Sequence, residues 1–186
     1  MYGGLLFAVI AKSLQQFSIF PIRRLHIDLC APVLAKETII TLRELRRGVN
    51  TQFVHIECLQ DGAVVASAGA ACGGQRVVEL DHHSNTREDV RAPSVPAIPF
   101  HPSMPSFSQF FEYWPTIGHL PLSGASELFT GGWIRCPGVQ SIDQAVICAL
   151  IDVWWPALYL SIETPRPMGT IIFILYQSSS FLIEFL

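Results

Sequence analysis

Apolar and polar positions alternate, cluster and break along this chain in a way that outlines its elements before any chemistry is considered. Leu5 to Phe17 is apolar except for Lys12, Ser13, Gln15 and Gln16, and a glycine pair, Gly3 and Gly4, opens it. The spacing predicts a helix with one polar side. Leu25, Ile27 and Leu29 alternate with His26, Asp28 and Cys30, the period of a half-buried strand. Thr38 to Leu45 and Val49 to Leu59 read as further strands, with Arg46, Arg47 and Gly48 as a break or bulge between them. Asp61-Gly62 then supplies the positive-φ residues of a tight hairpin, and Ala63 to Cys72 returns as the next strand. Helix, strand and a three-strand antiparallel meander follow one another in order.

Residues 77–106 change character. A polar stretch around His82 and His83 gives way to Pro93, Pro96, Pro99, Pro102 and Pro105, one proline every three residues. This pattern predicts an extended linker. Phe107 to Trp114 and Glu127 to Cys136 read as strands on its far side, with Gly131 and Gly132 inside the second. A helix is expected from Ser141 to Trp155. Ser141 is positioned to cap it, Gln144 to close a capping box, and Pro156 to stop it. Every residue from Ala145 to Trp155 is apolar except Asp152, so surrounding structure should wrap this helix. Ser141, Gln144, Ala145, Cys148 and Asp152 share one face, small and polar. Asp152 is thus either a solvated side chain or a functional carboxylate. Gly169 to Tyr176 follows as an apolar strand.

Composition narrows the classes. Half of the residues are apolar and 15% are charged, with a net charge of −3. No run is long and apolar enough for a spanning helix, and the charge gives no reason to expect nucleic acid. Five cysteines contain no C-x-x-C pair, and buried free thiols in a reducing compartment, the cytoplasm, fit that count. The last residues are not the Ser-Lys-Leu peroxisomal address. His82 and His83 lack a second ligand pair, so neither a metal nor a cofactor is expected. Ser67 and Ser126 lack the elbow motif of a serine hydrolase, and neither Gly73-Gly74 nor Gly131-Gly132 is followed directly by a helix and a Lys-Ser/Thr pair.

The two halves repeat an order of helix, proline connection and strand. With the meander this is an α+β arrangement: a tandem, double hotdog, each a long helix wrapped by an antiparallel sheet. Residues 1–76 form the N-terminal copy without a leading strand. Residues 77–106 link it to residues 107–186, an incomplete second copy without its last strands. At Tyr2-Gly3-Gly4-Leu5-Leu6-Phe7, at 25–32, 42–48 and 58–68, and at 131–135, 149–152 and 165–170, the chain resembles the double-hotdog acyl-CoA thioesterases, of the type II and thioesterase-like kind.

That resemblance implies hydrolysis of an acyl–CoA thioester by a bound water. The family uses an Asp on the second hotdog helix, a Thr on the next strand and a Gln on the last strand. Asp152 and Thr170 match the first two. The strand carrying the Gln has no counterpart here, since Gln177 falls on too early a strand. A carboxylate can take a proton from water and a hydroxyl can orient that water. Substrate contacts are expected at Gly3, Gly4, Gly132 and Trp133. The missing strands suggest a second reading, a non-catalytic hotdog protein that binds acyl groups or a partner subunit. Exposed sheet edges would invite homo-oligomers.

Overall fold

The computed structural model describes residues 2–74, 93–102 and 104–177. The polar half of the expected linker, the histidine pair and the C-terminal tail from Ser178 lie outside the described residues. The chain divides into two compact units. One contains 2–74, 142–151 and 169–177. The other contains 93–102, 104–141 and 152–168.

The first unit is a helix on an antiparallel sheet. Helix α1 spans Gly3–Phe17 and buries Leu6, Phe7, Ile10, Ala11 and Leu14, the stripe that its period predicts. Strands β1 (Ile22–Leu29), β2 (Ile39–Arg47), β3 (Thr51–Gln60) and β4 (Ala63–Gly73) follow. A short helix, α2 (Gln144–Ile151), and a last strand, β7 (Ile172–Tyr176), complete the unit. The sheet order is β2-β3-β4-β1-β7, and every pairing is antiparallel. Leu25 and Ile27, Val54, Ile56 and Cys58, and Ala66, Ala68 and Ala70 all lie on the buried face. Period-two alternation set that face. They join the α1 stripe, Ala145, Cys148, Phe173 and Leu175 in one core.

Turn chemistry matches expectation. Asp61 and Gly62 both have positive φ, 51° and 79°, and close the β3–β4 hairpin. The register of β2 against β3 slips between Glu44 and Arg46, the bulge anticipated near the arginine pair.

Helix α2 departs from expectation in three ways. It ends at Ile151 rather than Trp155, so Asp152 follows the helix instead of riding on it. Pro156 explains this, because its ring would clash with the carbonyl four residues earlier, that of Asp152. Ser141 is not the cap. The Asp143 carboxylate accepts the Val146 N–H at 2.9 Å, the geometry of an N-cap three residues before its partner. The small face is not solvated either: Ala145 and Cys148 are buried in the core and α2 packs on α1.

Gln144, freed from capping, does something the sequence did not disclose. Its amide accepts the Ile22 N–H at 2.9 Å and donates to the Ile22 carbonyl at 2.8 Å. It also donates to Gln177. One side chain thus satisfies the backbone at the start of β1 as a neighbouring strand would. Gln144→Ala is expected to destabilise the unit by about 2 kcal/mol, because part-buried backbone groups lose their partners. Chemical denaturation checks this, and a loss below about 0.5 kcal/mol would mean that water replaces the amide freely.

The second unit holds strands β5 (Glu112–Gly118) and β6 (Thr130–Arg135), paired as a two-stranded ribbon, with short 3-10 turns at Ser106–Phe110 and Ala157–Leu160. The strand expected over Phe107 to Trp114 is therefore half turn and half strand. The proline stretch carries no helix or strand among its described residues. Trp114 stands opposite Trp133 in the ribbon, and Arg135 lies over the Trp114 ring while pairing with Glu112.

Candidate functional site

The residues singled out from sequence sit at the flanks of regular elements. Asp152 is half-buried and immediately follows α2. It belongs to the second compact unit, whereas Thr170 belongs to the first. Thr170 is exposed and precedes β7 by two positions, because that strand begins at Ile172 rather than Gly169. Both residues make contacts in the folded chain.

Gly4 and Gly132 have packing reasons for their identity. Gly4 lies where α1 meets α2. A side chain there would come within 2.8 Å of the Ala149 carbonyl and collide with the Tyr2 phenol. The Tyr2 hydroxyl donates to that same carbonyl, so the helix start is tied to α2 through the residue that precedes the glycine pair. Gly132 faces the β5 backbone so closely that a Cβ would lie 2.0 Å from the Trp114 carbonyl oxygen. Trp133, beside it, is half-buried on β6.

Within the second unit the residues after α2 build an aromatic cluster. Trp154 and Trp155 lie 4.4 Å apart, and Trp155 stacks on Tyr113 at 5.9 Å. The Trp155 indole donates to Thr130 at 3.2 Å. Burial pushes the Tyr113 phenol above its ordinary value, with the Ser108 hydroxyl opposing that shift. The tryptophan pair, expected as core, is half-buried and packs with Tyr113.

Electrostatics in the first unit argue against Cys58 and Cys148 as nucleophiles. Burial pushes the Cys58 thiol up to about 11. Burial, joined by the nearby Asp143 charge, pushes Cys148 up to about 12. Thiols held so high are protonated at neutral pH and inert. Among the described residues no three His, Cys, Asp or Glu side chains are grouped as metal ligands, and no helix is long and apolar enough to cross a membrane.

The titration of Asp143 shifts clearly downward. Burial opposes its charge, but the Val146 N–H, the Lys12 ammonium at 2.9 Å and the Ala145 N–H together hold it below its ordinary value of 3.8. A carboxyl whose folded value is depressed adds stability above its unfolded value and loses it as pH falls through the folded one. Asp143→Asn keeps a capping oxygen but no charge. Wild type is expected to exceed it by less than about 1 kcal/mol at neutral pH, a figure reduced for solvent screening of this partly exposed pair. The gap should close as pH drops below 3.8. Unfolding curves of both proteins over that range check this, and a gap that widens in acid would contradict the assigned charge interaction.

Comparison with known proteins gives this geometry a context. Residues 1–73 match the family described as acyl-CoA thioesterase N-terminal domain. No curated protein sequence matches the chain. A conserved protein of unknown function with a hot dog fold from Alicyclobacillus acidocaldarius is 25% identical, with a TM-score of 0.85 over 94% of this chain and 66% of its own. A candidate thioesterase II from Thermobifida fusca YX is 19% identical, with a TM-score of 0.68 over 94% of this chain and 69% of its own. The acyl-CoA thioesterase II TesB2 of Mycobacterium marinum is 18% identical, with a TM-score of 0.54 over 82% of this chain and 57% of its own. The fold is the α+β hotdog. The chain spans just under two thirds of the first of these proteins.

Proposed function

We propose that this chain, whose residues 1–73 match the acyl-CoA thioesterase N-terminal domain family, hydrolyses acyl-CoA to free acid and CoA. The observation that supports the reading most is that this family match falls on α1 and the β1–β4 meander, the helix and sheet that carry most of the core. We read the chain further as two tandem hotdogs, 1–76 and 107–186, joined by 77–106.

In the proposed reaction the Asp152 carboxylate takes a proton from water, and the water oxygen attacks the thioester carbonyl carbon. The tetrahedral oxyanion collapses, the carbon–sulfur bond breaks, and the sulfur leaves with the proton that Asp152 returns. Thr170 orients the water without competing as a base. Backbone N–H groups would stabilise the oxyanion. Gly3, Gly4, Gly132 and Trp133 are the proposed substrate contacts, with close packing also demanding glycine at 4 and 132.

A second reading draws on one observation. Asp152 and Thr170 both fall outside the helix and the strand expected to hold them rigidly. That favours a hotdog protein that binds acyl groups or a partner subunit without turning them over, and β2 and β7, the edges of the sheet among the described residues, offer pairing surfaces. Thiol release from short, medium and long acyl-CoAs, measured beside equilibrium binding of the same compounds, separates the two. Hydrolysis predicts catalytic turnover with at least one chain length. Tight binding without turnover by folded protein would replace it with the binding reading.

A further inference from the structure

One end of the sheet in the first unit gathers arginines and projecting apolar side chains. Cross-strand register aligns Tyr176, Arg24, Ala71, Phe53 and Arg46 in a row that spans all five strands. Arg24 and Arg46 are exposed and stand about 14 Å apart, three strand spacings. Arg23 and Arg47 lie one residue nearer the end. Beyond the row, hydrogen bonds gather the loops 18–21 and 48–50 around the end of β4. The Ser18 hydroxyl donates to Gln52 at 2.7 Å, the Gly73 N–H to the Pro21 carbonyl at 3.0 Å and the Gly74 N–H to the Asn50 carbonyl at 3.0 Å. These loops project Ile19 and Val49, which are 72% and 93% exposed, and Leu45 at the β2 bulge is 54% exposed. Side chains so placed gain almost nothing from the fold itself.

The acids at this end are already matched among the described residues. Glu44 accepts bonds from Arg47 at 2.7 Å and from Gln52 at 2.8 Å. Asp143, brought near by the bonds of Gln144 to Ile22, pairs with Lys12. Asp28 and Glu57 lie two rows away and Asp61 lies in the hairpin at the opposite end of the sheet. The end is therefore locally cationic in a chain of net charge −3.

We propose that this end of the sheet docks on the surface of an anionic lipid bilayer. The arginines meet the headgroup phosphates and carboxylates, for which a guanidinium supplies paired donors. Ile19, Leu45 and Val49 enter the boundary between headgroups and acyl chains, where their burial stabilises the contact in a way that salt does not screen. A single-stranded nucleic acid would need rings stacked along a basic groove. Here Phe53 and Tyr176 are three strands apart, and the side chains that project furthest are aliphatic, with no face for a base. The docking goes beyond the proposed hydrolysis, and its test reads binding alone.

Co-sedimentation of the full chain with phosphatidylcholine vesicles, with and without phosphatidylserine as about a third of the lipid, tests this. Wild type should bind the serine-containing vesicles at least ten-fold more tightly, and raising salt from about 0.1 M to 1 M should weaken that binding by a similar factor. Arg24→Gln with Arg46→Gln should cost about 25-fold on the anionic vesicles, near five-fold for each arginine. Ile19→Ser with Val49→Ser should cost at least ten-fold. All four positions are exposed, and circular dichroism checks that the variants keep the fold. Equal binding to both kinds of vesicle, or either double variant binding as wild type does, would overturn the proposal. Displacement from vesicles by millimolar phosphoserine would replace it with a site for a small soluble phosphate. Binding of a single-stranded oligonucleotide that the arginine variant loses, with none to vesicles, would put nucleic acid in the place of lipid.

Discussion

Phe7→Ala is expected to destabilise the helix–sheet unit by about 3–5 kcal/mol, the cost of emptying a fully buried aromatic site. Phe7 is 0% exposed, and its ring stacks on Phe173 with centroids 4.4 Å apart. Phe173 pairs with Ile27 across β1 and β7, so the deleted ring would leave both the helix and the last strand without their contact. The surrounding groups are strand residues held by register, which leaves the site little room to collapse. The expected fall in Tm is on the order of 10 °C for a chain of this size. Phe7→Leu, which keeps most of the volume, should lose less than half as much. Thermal and denaturant unfolding check both, and a loss below about 1 kcal/mol for the alanine variant would mean that Phe7 is not a keystone of this core.

Asp152→Asn is expected to lower the turnover of acyl-CoA by a factor of about 10² to 10⁴, the range for a lost general base. Asparagine has nearly the same size and can still bond through its amide, so it should leave the stability of the chain almost unchanged. It cannot accept a proton from water. Thr170→Ala should cost roughly ten-fold, because an orienting hydroxyl contributes less than the base it serves. The comparison is made on kcat from thiol release, beside circular dichroism of each variant. A variant with wild-type kcat would remove Asp152 from the chemistry while leaving the fold account intact.

The parts of this fold legible in sequence are those set by local physics. Alternation from Leu25 to Leu29 and from Val54 to Cys58 fixed which side chains face α1, and the Asp61-Gly62 pair fixed the hairpin. The parts that were not legible depend on partners far along the chain. Gln144 reads as a capping residue when only its neighbours are seen, yet it bonds Ile22, 122 positions away. The apolar run continues to Trp155 and so points past the end of α2, while the steric demand of Pro156 reaches back a full turn. Thr170 was placed on a strand by the apolar run after it, although pairing with β1 begins only at Ile172. At the candidate site, residue types were readable and their surroundings were not. Gly4 is explained by the Ala149 carbonyl, and no pattern near residue 4 announces that contact.

The reaction we propose is cleavage of an acyl–CoA thioester by a water molecule. Incubating the purified chain with acyl-CoA in water enriched in heavy oxygen, and weighing the products by mass spectrometry, tests it most directly. The account predicts free CoA and free acid in equal amounts, one heavy oxygen in each new carboxylate, and no acyl group left on the protein. Intact acyl-CoA after incubation with folded protein, or an acyl group retained on a side chain, would contradict it.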